Sequence, residues 1–126
     1  MPALDINELD PGHPDEKGDC AMVALKVYLG IPYTEALRAA TRLDSEQGRN
    51  GLWMRTMQRI AHEQGHQLVR RYRFDPDDSY GIVCAPRHAA VLREGLVLDR
   101  LTVWPWDAWL HAQECDADDC VLLEAR

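Results

Sequence analysis

Apolar positions along the chain follow two different periods, one in each half. Residues 1–17 are polar and rich in Pro, Gly and Asp, which predicts an irregular lead-in over the surface. From Cys20 to Leu29 almost every position is apolar, interrupted by Lys26, and Gly30 follows as a left-handed helix cap. A helix that is apolar all round belongs at the centre of a domain. Thr34 is placed to cap a second helix to about Leu43. Asn50-Gly51 opens a third, with Trp53, Met57 and Ile60 on one side.

After Gly65 the period becomes two. Leu68, Arg70, Tyr72 and Phe74 share one face of a predicted strand, and Asp75-Pro76-Asp77-Asp78 reads as a turn. Ile82 to Ala85 is a short buried strand, and His88 to Leu92 is the next. Glu94-Gly95 turns the chain into Leu96 to Asp99, so residues 88–99 predict a hairpin. Val121 to Glu124 is expected to close the sheet. The expected fold class is α+β, a central buried N-terminal helix packed on a small antiparallel sheet.

A length of 126 residues, 46% of them hydrophobic, suits a single domain over 1–126. The net charge of −7 and pI near 5.1 argue against a nucleic-acid or anionic-membrane partner, either of which favours a basic surface. Arg70-Arg71-Tyr72-Arg73 is locally basic but alternates like a solvated strand face. The N-terminus lacks the basic and apolar regions of an export signal, and no apolar run is long enough to cross a bilayer. A cytoplasmic location with reduced thiols is the expectation for the four cysteines. Cys84, inside Ile82-Val83-Cys84-Ala85, reads as core packing.

Cys20 differs from the other cysteines in its place at a helix start. Unpaired backbone N–H groups and the positive end of the helix dipole favour thiolate over thiol there. His88 begins one strand of the predicted hairpin and Asp99 ends the other. A turn of two or four residues puts them on the same face, and a turn of three puts them on opposite faces. On one face, the carboxylate would orient the imidazole and leave its second nitrogen for a thiol proton.

Gly18-Asp19-Cys20-Ala21-Met22-Val23-Ala24-Leu25, then Leu29-Gly30-Ile31-Pro32-Tyr33 and Glu35-Ala36-Leu37, resembles the opening of small papain-like cysteine peptidases. Among these are the bacteriocin-processing peptidases and related small phage and bacterial proteins. The run Arg87-His88-Ala89-Ala90-Val91-Leu92, with Glu94-Gly95 and Asp99 after it, is similar to their histidine hairpin. The resemblance spans residues 18 to about 101. It implies a papain-like fold in which Cys20 is the nucleophile, His88 the general base and acid, and Asp99 the orienting carboxylate. The substrate would be a peptide or protein, and the chemistry needs neither cofactor nor metal.

The family places a glutamine six residues before the cysteine, where its amide helps bind the oxyanion, and this chain has Pro14 there. Proline offers no N–H and no polar side chain, which leaves the Cys20 backbone N–H, with Lys17 or His13 as candidates to lean in. The departure supports an alternative reading, a papain-like fold kept for binding. A third reading comes from His62-Glu63-Gln64-Gly65-His66, which matches the HExxH pattern of zinc peptidases. Gly65 is a helix terminator, however, and Val69 and Tyr72 stand where the extended zinc pattern has Gly and His. Cys115-Asp116-Ala117-Asp118-Asp119-Cys120 reads as an acidic solvated turn, and Trp104, Trp106 and Trp109 as a core lid.

Overall fold

A computed structural model describes residues 19–47 and 54–126 of the chain. The lead-in, Pro14 and the Asn50-Gly51 helix start with Trp53 lie outside the described residues. Three helices come first, α1 (Asp19–Leu29), α2 (Tyr33–Gln47) and α3 (Met54–Glu63). Strands β1 (Leu68–Arg71), β2 (Tyr80–Ala85), β3 (His88–Arg93), β4 (Leu96–Asp99) and β5 (Thr102–Pro105) follow, then α4 (Trp106–Gln113) and β6 (Val121–Ala125). The fold is α+β. All strand pairings are antiparallel, in the order β1-β6-β2-β3-β4-β5.

Several boundaries differ from the sequence reading. The second helix begins at Tyr33, where Ala36 N–H already bonds the Pro32 carbonyl, so Thr34 lies inside the first turn instead of capping it. The first strand ends at Arg71, because its ladder with β6 ends at Arg71 and Leu122. Tyr72 beyond it is 63% exposed. β6 does not close the sheet but inserts between β1 and β2. Among the described residues no helix is long and apolar enough to cross a membrane.

The sheet separates two cores. On one face α1 buries Ala21 to Leu25 against Ile82, Cys84, Ala89, Val91 and Leu123, with α2 and α3 packed behind. The other face carries Val83, Ala90, Leu92, Val97 and Leu122 against Trp106 and Trp109 of α4. Tyr28 ties α1 to the sheet by donating its hydroxyl to the Tyr80 carbonyl (3.2 Å) and accepting from Ala125 N–H (2.8 Å).

The β3–β4 turn joins several of these parts. Arg93 pairs with Leu96, so the turn is the two residues Glu94 and Gly95, both in the left-handed region (φ +48° and +83°). That is the type I′ geometry matching strand twist. Glu94 N–H bonds the Ser79 carbonyl, Gly95 N–H the Pro76 carbonyl, and the Gly95 carbonyl accepts from Trp106 at the start of α4. A side chain on Gly95 would also meet Asp77 Oδ1 at 2.8 Å. Gly95→Ala is therefore expected to lower stability by about 1–2 kcal/mol, read as a lower urea midpoint. An unchanged midpoint would mean that the turn relaxes freely.

Candidate functional site

The two-residue turn settles which face the hairpin residues share. Extending the register from Val91 opposite Leu98 sets Asp99 across from Ala90, diagonal to His88 and on its side of the sheet. His88 Nε2 lies 2.8 Å from Asp99 Oδ1 and 2.7 Å from Oδ2. The carboxylate thus holds the ring by one nitrogen and leaves Nδ1 for another partner.

Cys20 is the group beside that ring. It is the second residue of α1 and half-buried, and the His88 side chain and the Ala89 amide both lie close enough to lower its pKa. Gly18 and the side chain of Asp19 lie outside the described parts. Beside the thiol a cleft is walled by Val23 and Val27 of α1, Val91 and Leu98, with Arg100 near the charged groups.

Electrostatics favour the ion pair. Burial pushes the Cys20 thiol up, but His88, the Ala89 amide and the Arg100 charge outweigh it and bring the thiol below its ordinary 9.0. Asp99 is the main cause that raises His88 from 6.5 to about 10, with Cys20 second. Asp99 is itself held below the usual carboxylate range, since His88 and Trp109 overcome the effect of burial. Cys84 behaves in the opposite way: burial beside Cys20 pushes it up to about 12, and it stays a thiol in the core.

Two site residues were missed from sequence. Trp109 is fully buried and donates its indole N–H to Asp99 Oδ2 at 3.0 Å. The available signal was chemical, since a buried tryptophan needs an acceptor for its N–H, but nothing in the spacing names Asp99. Arg100 has φ +55°, unusual for a side-chain-bearing residue, and its charge reaches both Cys20 and Asp99. No pattern in the sequence marks that conformation.

The HExxH segment folds otherwise than a zinc site needs. Helix α3 ends at Glu63, where Gly65 (φ +84°) forms a Schellman cap with Gly65 N–H on His62 and His66 N–H on Ala61. His66 is off the helix, and Glu63 accepts from Arg42 at 2.6 Å. Among the described residues no group of three or more His, Cys, Asp or Glu is arranged to hold a metal ion. Comparison with protein-family models, curated proteins and solved structures finds no match to the chain.

The ion pair has a signature in stability. Unfolded, Cys20 keeps its proton up to about 9.0 and His88 loses its proton above about 6.5; folded, the proton resides on His88 until about 10. Above 9.0 the folded pair alone retains a proton, and the part due to the raised His88 pKa is lost toward 10. The difference in urea midpoint between wild type and Cys20→Ala/His88→Ala should therefore shrink as pH rises from 9.0 toward 10. A difference that stays level through that window would place the proton on sulfur.

Trp109→Phe keeps an aromatic ring but removes the donor to Asp99. The carboxyl should then titrate higher and His88 lower, moving the alkylation profile of Cys20 to higher pH. An unmoved profile would assign the indole to packing alone.

Proposed function

We propose that the chain is a cysteine hydrolase or related thiol acyl-transfer enzyme of papain-like fold, acting in the cytoplasm on a peptide or isopeptide bond. One observation carries this reading: Asp99 holds His88 at 2.7–2.8 Å by Nε2, and the same ring lies beside the Cys20 thiol at a helix start and favours its thiolate. A helix-borne cysteine, then a histidine and an aspartate on successive strands, is the chain order of the papain-like peptidases that the sequence resembles.

The chemistry follows from the geometry. Cys20 thiolate adds to the substrate carbonyl carbon, and the carbonyl oxygen becomes an oxyanion. The Cys20 backbone N–H is one of the first N–H groups of α1, which have no partner within the helix, and is available to that oxygen. Collapse expels the leaving amine, which takes its proton from His88, and a thioester remains on Cys20. His88, now neutral, takes a proton from water or an acceptor amine as it attacks the thioester. The acyl group leaves and the thiolate returns, paired again with the imidazolium. Asp99 holds the ring in place for both transfers, and Trp109 holds Asp99.

Acylation by a small activated ester, followed by intact mass measurement, tests this directly. One acyl group is expected on Cys20 in the wild type and none in Cys20→Ala. Asp99→Asn should acylate at least about a hundredfold more slowly. Hydrolysis of a peptide library should disappear with Cys20→Ala. Acylation spread equally over Cys20 and Cys115, or cleavage that survives Cys20→Ala, would overturn the proposal.

A further inference from the structure

The loop between α4 and β6 contains a second pair of sulfur atoms that plays no part in the chemistry above. Cys115 Sγ and Cys120 Sγ lie 3.9 Å apart. Both ends of the loop are braced by backbone hydrogen bonds. Helix α4 closes with Glu114 in the left-handed region (φ +54°), Glu114 N–H bonding the His111 carbonyl and Cys115 N–H the Leu110 carbonyl. Asp116 and Asp119 then form a reciprocal capping box, and Cys120 N–H bonds the Ala117 carbonyl. The two thiols are thereby held facing each other by the fold, about 2 Å beyond the length of an S–S bond.

They differ in access. Cys115 is half-buried, whereas Cys120 is 1% exposed and packs in the core with Trp106 and Trp109. An external reagent meets Cys115 first, and Cys120 waits behind it. That is the arrangement of an attacking and a resolving thiol.

We infer that Cys115 and Cys120 are a modification site, a dithiol that a low-molecular-weight disulfide converts into an intramolecular disulfide fastening the end of α4 to the start of β6. Cys115 thiolate attacks one sulfur of the oxidant, forming a mixed disulfide and releasing one thiolate. Cys120 loses its proton as it attacks the Cys115 sulfur, the Cys115–Cys120 bond forms, and a second thiol departs. Two protein thiols are oxidised and one disulfide is reduced to two thiols. The bond ties down the helix that carries Trp109, and the inference stands independently of any acyl-transfer activity.

Trypsin separates the reactive sulfurs, because no Lys or Arg occurs between Leu101 and Ala125 and the peptide Leu101–Arg126 contains Cys115 and Cys120 alone. The full-length Cys20→Ser variant is incubated with oxidised glutathione, quenched in acid, denatured, alkylated and digested. The expected product is Leu101–Arg126 lighter by about 2 Da, blocked to alkylation until reduced and then taking two alkyl groups. The ratio of intramolecular to mixed disulfide should be roughly tenfold or more higher than in urea-denatured protein, since the fold holds the pair in place. A stable glutathione adduct on Cys115 with Cys120 still open to alkylation, no reaction at either thiol, or an equal ratio in urea would each overturn the inference.

Discussion

Everything that brings the candidate site together depends on the length of one turn. Glu94 and Gly95 connect β3 to β4 with two left-handed residues, and this fixes the register that puts His88 and Asp99 on one face. One residue more would send Asp99 to the α1 side of the sheet and away from the imidazole. The same turn accepts the first N–H of α4, so it also aims the helix that delivers Trp109 to Asp99. Register and helix placement are thus set by one piece of backbone, held from beneath by the carbonyls of Ser79 and Pro76.

The electrostatic outcome is a competition between burial and partners. Cys20 and Cys84 stand on the same side of the sheet, both largely removed from water, yet they are driven in opposite directions. Burial dominates at Cys84. At Cys20 a histidine, an amide and a nearby guanidinium reverse it. The histidine in turn stays charged because a carboxylate faces its far nitrogen, and that carboxylate stays charged because an indole N–H supports it. Charge at sulfur is therefore maintained through His88, Asp99 and Trp109 in turn, although Cys20, His88 and Asp99 would each favour the neutral form if buried alone.

Much of this was legible in the sequence because it rests on local rules. An apolar run ended by glycine gave α1, and an Glu-Gly pair between alternating segments gave the hairpin with its histidine and aspartate. What escaped depends on contacts between distant segments. Nothing near Val121 indicates that this last strand inserts beside β2, since a strand's neighbours are chosen by the packing of the whole sheet. The pattern from Leu68 to Phe74 continues past the end of its partner, so periodicity alone extends the strand too far. Trp104-Pro105-Trp106 conceals a change from β5 to α4, because the proline that ends the strand also starts the helix. The bond from Trp109 to Asp99 likewise exists only once α4 is docked.

His88 occupies a position that explains how residues from both cores meet. Its strand pairs with β2 at this point, Ala85 opposite His88, whereas the ladder with β4 begins only at Val91. The open flank beyond Val91 is where the sheet ceases to separate its two sides. Cys20 comes from the α1 core and Asp99 with Trp109 from the α4 core, and the imidazole at the strand end is within reach of both. Had the histidine stood at Ala90 or Leu92, the sheet itself would have screened it from the thiol. Placing it on the first residue of β3 makes thiol activation depend on both cores at once. Loosening either helix then separates a charge from its partner before the domain as a whole unfolds.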